Sequence, residues 1–453
     1  MNDYPAEHIR NVGLFSHGGA GKTSLAEALL FDSGTTSRLG RVEDGTTVSD
    51  YDPDEIKRHL SVSTSVLPIE WNDYKINLLD VPGYADFAGE MISAMRVVDG
   101  ALIVVDASSG VEIGTENMWD LAAKNHVPCM LFANKMDREN ANFAQTLESL
   151  RLAFGKRMAP VQFPIGESRA FKGIVDLLAG TAMIFHDNAD GGFEMIPIPD
   201  ELSAQCATYR QALVESISEH NEELMIRYLE DEPITDEELL SELHRCIADG
   251  SVIPLLCGSA TANRGIQPLL KAIADYLPAA SERKEPAKDK DADVSLAGND
   301  AEPLMALAFK TVADPHVGRV TYFRIFAGGV DSHSQVTNSS RNEDERIGQL
   351  FYLRGKDHLN TEHVGAGDIA AVSKLTGVQT GDTIAAKDSE RMVSGMEFPA
   401  PIYAASLHPE SKSDLDKLSQ ALVKLHEEDP TLVISRGEFS GETIISGLGE
   451  SHV

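Results

Sequence analysis

The chain has 453 residues, of which 42% are hydrophobic and 24% charged, proportions typical of a water-soluble globular protein with about three domains. Its formal net charge of −32, from 71 acidic and 39 basic residues, opposes nonspecific nucleic-acid binding without excluding a local basic face, and we expect no DNA partner. The sequence has no apolar run long enough to cross a bilayer, no signal-peptide pattern and no Cys-x-x-Cys pair, which argues against membrane, secreted and zinc-finger classes and predicts a cytoplasmic protein.

The first predicted strand and helix enclose a glycine-rich turn that is typical of a phosphate-binding loop. Residues 9–15 predict the strand, residues 24–30 predict the helix, and Ser16-His-Gly-Gly-Ala-Gly-Lys-Thr23 lies between them. Successive backbone N–H groups in such a turn meet the positive end of the helix dipole and bind a polyphosphate. Lys22 is expected to reach the β- and γ-phosphates, and the Thr23 hydroxyl to bind Mg²⁺. The predicted phosphate-binding residues are Ser16, His17, Gly18, Gly19, Ala20, Gly21, Lys22, Thr23 and Ser24.

One residue departs from the usual loop pattern, which begins with Gly where this chain has Ser16. Taken alone, Gly21-Lys-Thr23 fits a structural turn ahead of a helix about as well as it fits a nucleotide site. The strand before the turn and the helix after it favour the nucleotide site.

A second candidate motif follows two predicted strands. Residues 61–69 and 74–79 are β-type runs separated by a turn, and the second run ends in Asp80-Val-Pro-Gly83. An aspartate at the carboxyl end of a strand can hold Mg²⁺ through water, and the glycine can offer its N–H to a γ-phosphate. A plain turn is the alternative for this tetrapeptide alone. Placed after a phosphate loop, the motif predicts nucleotide contacts from Asp80, Val81, Pro82, Gly83 and Tyr84.

Strands and helices continue to alternate along the chain. Residues 101–106 predict a strand, residues 112–124 a helix and residues 127–133 another strand. Such alternation is typical of a doubly wound parallel sheet, whose ligand crevice lies at the carboxyl ends of its strands. The motifs all follow predicted strands, so we expect this crevice to collect them.

The tetrapeptide Asn134-Lys-Met-Asp137 predicts which base is bound. The Asp137 carboxylate can accept hydrogen bonds from the N1–H and the exocyclic amine of guanine, and adenine has no such donor pair, so GTP is expected over ATP. The stem of Lys135 can lie on the base plane, and Asn134 can brace the loop. A solvated polar turn is the alternative. The predicted base-binding residues are Asn134, Lys135, Met136 and Asp137, with backbone contacts to the guanine oxygen from Gly258, Ser259 and Ala260.

These motifs resemble those of translational GTPases, and specifically those of elongation factor G. The resemblance continues through Ala308-Phe-Lys-Thr311, Asp314-Pro-His-Val-Gly-Arg319, Ala366-Gly-Asp-Ile-Ala370 and Gly447-Leu-Gly-Glu450, and it covers nearly the whole chain in the family's order. It implies an α/β P-loop GTPase domain with an α+β insertion, followed by an antiparallel β-barrel and a partial ferredoxin-like α+β domain.

The resemblance also implies domain boundaries. They are a GTP-binding domain at 1–278 with an inserted subdomain at about 157–253, a linker at 279–301, a β-barrel at 302–397 and a partial ferredoxin-like domain at 398–453. The acidic run 221–238 predicts a helical part of the insertion, and the Lys-, Asp-, Glu- and Ala-rich linker predicts a flexible, solvated connector. The third domain lacks the family's next helix and edge strand, so we expect it to be poorly stable, and without a fourth domain this chain alone is not expected to drive translocation.

Several residues depart from the family pattern around the γ-phosphate. Tyr84 stands where most translational GTPases have histidine, and a phenol with a pKa of about 10 is a poor base near neutrality; it can hydrogen-bond a water or simply pack beside the loop. The family's Arg-Gly-Ile-Thr is Arg58-His-Leu-Ser61, in which Ser61 keeps a hydroxyl for Mg²⁺. Gly19 replaces a common aspartate, and Gly18 replaces an apolar residue and is expected to widen the gap opposite Leu60. These features resemble a divergent branch described as elongation factor G-like or second elongation factor G.

The resemblance implies a cytoplasmic, monomeric GTP-binding translation factor that binds ribosomal RNA and proteins and hydrolyses GTP to GDP, with translocation or ribosome recycling as the task of the full-length protein. The implied cofactors are GTP/GDP and Mg²⁺, with Thr23, Ser61 and Asp80 as metal ligands and Lys22 and Tyr84 as catalytic residues. GTP is expected to order the 58–61 loop and the 80–84 turn. Two alternatives stay open: a GTP-dependent ribosome-binding module with little hydrolysis, favoured by Tyr84, and a GTPase of the release-factor-three or ribosomal-protection type.

Overall fold

The computed structural model describes residues 1–188, 190–230, 232–290, 292–314, 317–409, 411–437 and 442–453. The strands of the first part of the chain are β1 (Ile9–Phe15), β2 (Ser65–Trp71), β3 (Tyr74–Asp80), β4 (Gly100–Asp106), β5 (Cys129–Asn134), β6 (Met158–Pro160), β7 (Gln162–Ile165), β8 (Gly173–Asp176), β9 (Thr181–Phe185), β10 (Phe193–Ile196) and β11 (Ile253–Cys257). The main sheet has the order β2-β3-β1-β4-β5-β11-β6, and its neighbouring strands are parallel except for β2, which runs antiparallel to β3.

The same part of the chain also contains helices. They are α1 (Lys22–Asp32), α2 (Pro53–Arg58), α3 (Ala88–Val97), α4 (Ile113–Lys124), α5 (Phe143–Phe154), α6 (Ser203–Ser218), α7 (Glu222–Leu229), α8 (Asp236–Ala248) and α9 (Ile266–Tyr276). Strands β1, β4, β5 and β11 are buried along their whole length, as expected of parallel strands covered on both faces. The predicted doubly wound sheet is therefore confirmed, and the carboxyl ends of β1, β3 and β5 bring the three motifs to one edge. Among the described residues, none of the helices combines the length and apolarity needed to span a bilayer.

Strand β2 begins later than the sequence predicts. A strand was expected from Ser61, and the structure begins it at Ser65. The backbone N–H groups of Val62 and Ser63 instead donate to Glu55 Oε1 at 3.0 and 3.2 Å. Because a side-chain carboxylate takes these donors, the segment before β2 folds as a loop.

The insertion packs helices α6, α7 and α8 beside a four-stranded antiparallel sheet of order β10-β9-β8-β7. The acidic run 221–238, predicted to be helical, is divided between two helices, α7 and the start of α8. Asn221 caps α7, and Thr235 forms a capping box with Glu238 at the start of α8. Pro233 lies between them, where its missing N–H and fixed φ interrupt a helix.

The predicted flexible linker is also wrong for part of its length. Strands β12 (Glu285–Asp289) and β13 (Ala292–Leu296) pair antiparallel, and β12 also pairs with a strand at Arg391–Val393. Glu285 is buried and forms ion pairs with Arg96 of α3 and with Arg283. Backbone pairing and buried ion pairs order this segment. Its low apolar content therefore gave no indication that it would be ordered.

The barrel follows in the strands β14 (Met305–Asp314), β15 (Gly318–Ala327), β16 (Val330–Asp331), β17 (Gln335–Asn338), β18 (Glu343–Arg346), β19 (Leu350–Arg354), β20 (Asp357–Thr361), β21 (His363–Val364), β22 (Ile369–Ser373), β23 (Thr383–Ala386) and β24 (Arg391–Val393). The main sheet of this part has the order β18-β17-β23-β14-β15-β22-β19-β20, with antiparallel neighbours, and it encloses its own apolar cluster. The predicted antiparallel barrel is confirmed. Pro315 and His316 of the motif predicted at 314–319 lie outside the described residues.

The last part has the order strand, helix, strand, strand: β25 (Tyr403–Leu407), α10 (Lys412–Glu428), β26 (Val433–Arg436) and β27 (Thr443–Gly447). The strands form an antiparallel sheet of order β25-β27-β26. Its described core is small and centres on Leu422, Leu432 and Ile445. Low stability of this part stays a prediction.

Candidate functional site

The phosphate loop joins the end of β1 to the start of α1. Gly19 and Gly21 have φ of +85° and +96°, in the left-handed region that favours glycine. A Cβ atom on Gly21 would also lie 2.6 Å from Asn134 Nδ2, so the base motif and the loop are in close contact. The predicted loop residues that line the resulting cleft are Gly18, Gly19, Gly21, Lys22, Thr23 and Ser24.

The residue that departs from the loop pattern contacts the loop lysine. Lys22 Nζ donates to Ser16 Oγ at 2.8 Å, and this hydroxyl donates to the carbonyl oxygen of His17 at 2.6 Å. Burial lowers the pKa of Lys22 to about 8, against the opposing charges of Asp80 and Asp50. Ser16 thus supplies an acceptor that holds the ammonium group at the predicted phosphate position.

The predicted Mg²⁺ ligands lie together. Thr23 Oγ1 is 3.1 Å from Ser61 Oγ, and the buried Asp80 lies near Thr23 and Lys22. Asp80 Oδ2 accepts from Ser49 Oγ at 2.9 Å, whereas Asp80 Oδ1 is buried without a hydrogen-bond partner among the described residues. Burial raises the pKa of Asp80, although the nearby charge of Lys22 opposes it.

Asp50 joins this cluster, although it was not predicted from the sequence. It lines the cleft, and burial together with the charge of Asp80 raises its pKa to about 6. Hydroxyl and carboxylate oxygens are the hard donors that Mg²⁺ prefers. The orphaned Asp80 oxygen and the raised pKa of Asp50 both fit a site that a divalent cation would complete, with Thr23, Ser61, Asp80 and Asp50 around it.

Tyr84 lies against the phosphate loop. A Cβ atom on Gly18 would sit 2.7 Å from Tyr84 Cε2 and 2.8 Å from its Cζ, so the ring covers the face of Gly18. The side chain is 48% exposed and lines the cleft with His59 and Leu60. The ring of Tyr84 thus fills the space beside Gly18, and a wider gap opposite Leu60 stays a prediction.

Two buried glutamates hold the loop that carries Ser49, Asp50 and Ser61. Glu27 of α1 accepts the N–H of Val48 at 2.6 Å and that of Ser49 at 3.4 Å. Glu55 binds the far end of the loop through the N–H groups described above. Burial raises the pKa of each of these two carboxyl groups to about 7. Neither was predicted; for Glu27 the available signal was an acidic residue inside the apolar helix face of α1.

The base motif follows β5 and is braced in two directions. Asn134 Nδ2 donates to the carbonyl oxygen of Ala20 at 2.9 Å, and Asn134 Oδ1 accepts the N–H of Ala260 at 3.0 Å. Lys135 Nζ donates to the carbonyl oxygen of Gly19 and to Asp106 Oδ2, both at 2.6 Å. Although burial opposes it, hydrogen bonds from Lys135 and Ser108 lower the pKa of Asp106.

Asp137 provides an unsatisfied acceptor beside this brace. Its Oδ1 is buried and has no hydrogen-bond partner among the described residues, as expected of a group kept for a ligand. The buried Met136 donates its N–H to the Gly258 carbonyl oxygen at 3.1 Å, which joins the two base segments.

The backbone N–H groups of Gly258, Ser259 and Ala260 already donate hydrogen bonds within the chain. Those of Gly258 and Ser259 donate to Ala133 and Arg264 carbonyl oxygens at 3.0 and 2.9 Å, and that of Ala260 donates to Asn134. A guanine oxygen would therefore share the Ala260 donor, and this contact stays a prediction.

Comparison with known proteins identifies relatives along nearly the whole chain. Residues 7–279 match the family model for the elongation factor Tu GTP binding domain, residues 303–387 the model for elongation factor G domain 2, and residues 398–453 the model for elongation factor G domain III. Elongation factor G of Salinibacter ruber (strain DSM 13855 / M31) is 37% identical over 458 residues, covering 99% of this chain and 65% of that protein.

A solved structure shows the same relationship in three dimensions. The crystal structure of a protein from Thermus thermophilus matches with a TM-score of 0.88 and 33% sequence identity, covering 98% of this chain and 64% of that one. The chain therefore spans somewhat less than two thirds of the length of each of these relatives.

Proposed function

Because the chain belongs to the elongation factor G family of translational GTPases, we propose that it binds GTP with Mg²⁺, associates with the ribosome and hydrolyses GTP to GDP. The observation that carries the proposal is that Asp80 Oδ1 on the phosphate side of the cleft and Asp137 Oδ1 on the base side are among the buried carboxylate oxygens without a hydrogen-bond partner in the described residues. One suits a water-bridged Mg²⁺ and the other the donor edge of guanine.

The chain's own residues supply charge and position in this mechanism. The Lys22 ammonium group and the loop N–H groups would neutralise the β- and γ-phosphates, with Thr23, Ser61, Asp80 and Asp50 holding the metal. Mg²⁺, when bound, neutralises charge that develops between the phosphates. Water attack then depends on orientation more than on covalent chemistry by the protein.

Tyr84 is the group we assign to water orientation. From its position over Gly18 its hydroxyl would border the γ-phosphate, where it would donate to or accept from a water without changing its charge. We propose that this makes turnover slow without a partner that completes the site, and that ribosomes are this partner.

A binding module with little hydrolysis is the second candidate. The observation that favours it concerns the same residue, because a neutral, half-exposed phenol stands where the family has histidine. Matches to the elongation factor G models of domains 2 and III favour this family over the release-factor-three and ribosomal-protection types. We also propose that the whole protein is a cytoplasmic monomer that acts in translocation or ribosome recycling.

Single-turnover hydrolysis of GTP tests the proposal, measured with and without ribosomes for the parent chain, Lys22→Ala and Tyr84→His. We expect GTP to bind in preference to ATP, ribosomes to raise the parent rate, and Lys22→Ala to lose GTP binding. Tight GTP binding without ribosome stimulation would favour the binding module. Equal binding of ATP would contradict the role of Asp137.

A further inference from the structure

Lys310 is a buried lysine of the barrel that contacts the GTP-binding domain. It lies on β14, and 6% of the residue is exposed. Its Nζ donates to Glu90 Oε1 and Oε2, both at 2.7 Å, and to Ser63 Oγ at 2.6 Å. An ammonium group has three protons, so these three acceptors satisfy it fully.

The acceptors belong to two different segments of the nucleotide site. Ser63 ends the loop that carries Asp50 and Ser61, and Glu90 lies in the first turn of α3, shortly after Tyr84. Glu90 Oε2 also accepts the N–H of Thr64 at 2.6 Å, which ties α3 to the same loop end. One barrel side chain thus joins both segments that border the predicted γ-phosphate.

The contact continues toward the metal ligands. The Ser63 N–H donates to Glu55, which also binds Val62, and Ser61 lies next in the chain with its hydroxyl beside that of Thr23. On the other side of Lys310, Glu428 of α10 accepts the N–H of Ala313 at 2.7 Å, and the charge of Lys310 counters the effect of burial on the pKa of Glu428. The lysine therefore lies where three domains meet.

We propose that Lys310 is a positioning residue that couples the placement of the barrel to two nucleotide loops. These are the loop that ends at Ser63 and the 80–84 turn that leads into α3. With the barrel placed as in this structure, Lys310 holds Ser63 and α3 so that Ser61 faces the Mg²⁺ site and Tyr84 covers Gly18. A partner that moves the barrel would release both loops together. The proposal rests on the proposed function, since it concerns the response of the same site to GTP.

A second buried lysine at the same domain interface provides a matched control. Lys75 of β3 forms an ion pair of 2.6 Å with Asp368 of the barrel, and its Nζ lies 3.3 Å from the centroid of the Tyr352 ring. Its described hydrogen bond reaches none of the residues of the two nucleotide loops. Loss of either lysine removes the ion-pair partner of a carboxylate, Glu90 or Asp368, but only the loss of Lys310 detaches the loops.

The test compares Lys310→Met, Lys310→Arg and Lys75→Met in the full chain, by titrating each with fluorescent analogues of GTP and GDP. For Lys310→Met we expect GTP affinity to fall about tenfold relative to GDP affinity, the scale of a typical coupling between sites. Lys75→Met should keep the parent ratio, and Lys310→Arg should recover part of it. A parent-like ratio in Lys310→Met, or the same change in Lys75→Met, would overturn the proposal.

Two further measurements separate this proposal from the proposed function. Ser63→Ala removes one acceptor without unpairing Glu90, so it should shift the ratio in the same direction even if Lys310→Met fails to fold. Amide hydrogen exchange at residues 62–64 needs no nucleotide; it should speed up in Lys310→Met and Ser63→Ala and not in Lys75→Met. Unchanged exchange would contradict the coupling, whereas a parent chain without ribosome-stimulated hydrolysis would contradict only the proposed function.

Discussion

The base side and the γ-phosphate side of the cleft are built in different ways. On the base side, Asn134 makes two backbone contacts and Lys135 pairs with Asp106, whose pKa is lowered. On the γ-phosphate side, buried Glu27 and Glu55 hold the loop, and their pKa values are raised to about 7. On the base side Lys135 and Asp106 are paired within the chain and Asp137 keeps one oxygen for a ligand, whereas on the γ-phosphate side burial disfavours the charged forms of Glu27 and Glu55.

Matches to the family's pattern and departures from it lie on different sides of the cleft. The base motif keeps the family's residues, and Asp137 leaves one acceptor for a ligand. The departures at Ser16, Gly18, Gly19 and Tyr84 all lie on the phosphate side. There, Ser16 accepts a hydrogen bond from Lys22, and the ring of Tyr84 covers Gly18. Base recognition and turnover are therefore expected to respond differently to mutation.

The largest effect is expected from Asp137→Asn on the base side. The variant loses two charge-assisted hydrogen bonds to guanine, each worth about 1.5 to 3 kcal/mol, so GTP affinity should fall roughly 10²- to 10⁴-fold. Titration with a fluorescent GTP analogue measures this loss. As a control, xanthosine triphosphate has an oxygen in place of the guanine amine, and the amide of the variant can donate to it, so this nucleotide should bind the variant better than GTP does. Unchanged GTP affinity would show that Asp137 is not the base-reading residue.

Local sequence predicted that the three motifs would lie at one edge of the sheet, and the reason is physical. The phosphate loop, Asp80 and Asn134-Lys-Met-Asp137 each follow an apolar strand, and strand ends in a parallel sheet converge. By contrast, Asp50, Glu27 and Lys310 act through contacts between segments far apart in the chain, such as the 247 positions that separate Lys310 from Ser63. The local sequence does not show whether an acidic or basic side chain is buried. These residues could therefore be identified only in the folded structure.

A smaller effect, dependent on pH, is expected from Glu27→Gln on the γ-phosphate side. The pKa of Glu27 is raised from an ordinary 4.5 to about 7. Between these two pH values the folded chain keeps a proton on Glu27 that the unfolded chain has lost. The free energy of unfolding contributed by Glu27 therefore falls as pH rises from about 4.5 to about 7. The variant does not titrate, and its amide oxygen still accepts from Val48. Relative to the parent it should gain about 1 to 3 kcal/mol between about pH 5 and pH 8.

Denaturant unfolding at several pH values measures this difference. Asp50 and Asp80 also raise the pKa of Glu27, and they are present in both proteins, so their own titration largely cancels in the comparison. Glu148→Gln on the exposed surface of α5 is the matched control for the loss of one carboxyl group. A Glu27→Gln effect that stays the same from about pH 5 to about pH 8 would mean that burial does not raise the pKa of Glu27.

The smallest effect is expected from the contact between Gly18 and Tyr84, and it bears directly on turnover. Gly18→Ala places a methyl group where the ring lies, and the half-exposed ring can move aside, so GTP affinity should change little while ribosome-stimulated hydrolysis falls about fivefold. In a Tyr84→His background the smaller ring leaves room for the methyl group, and the same substitution should cost much less. Hydrolysis rates of the two single variants and the double variant give the coupling. Additive effects would show that Tyr84 does not act from its position over Gly18. Turnover on the γ-phosphate side would then not depend on the fit between these two residues.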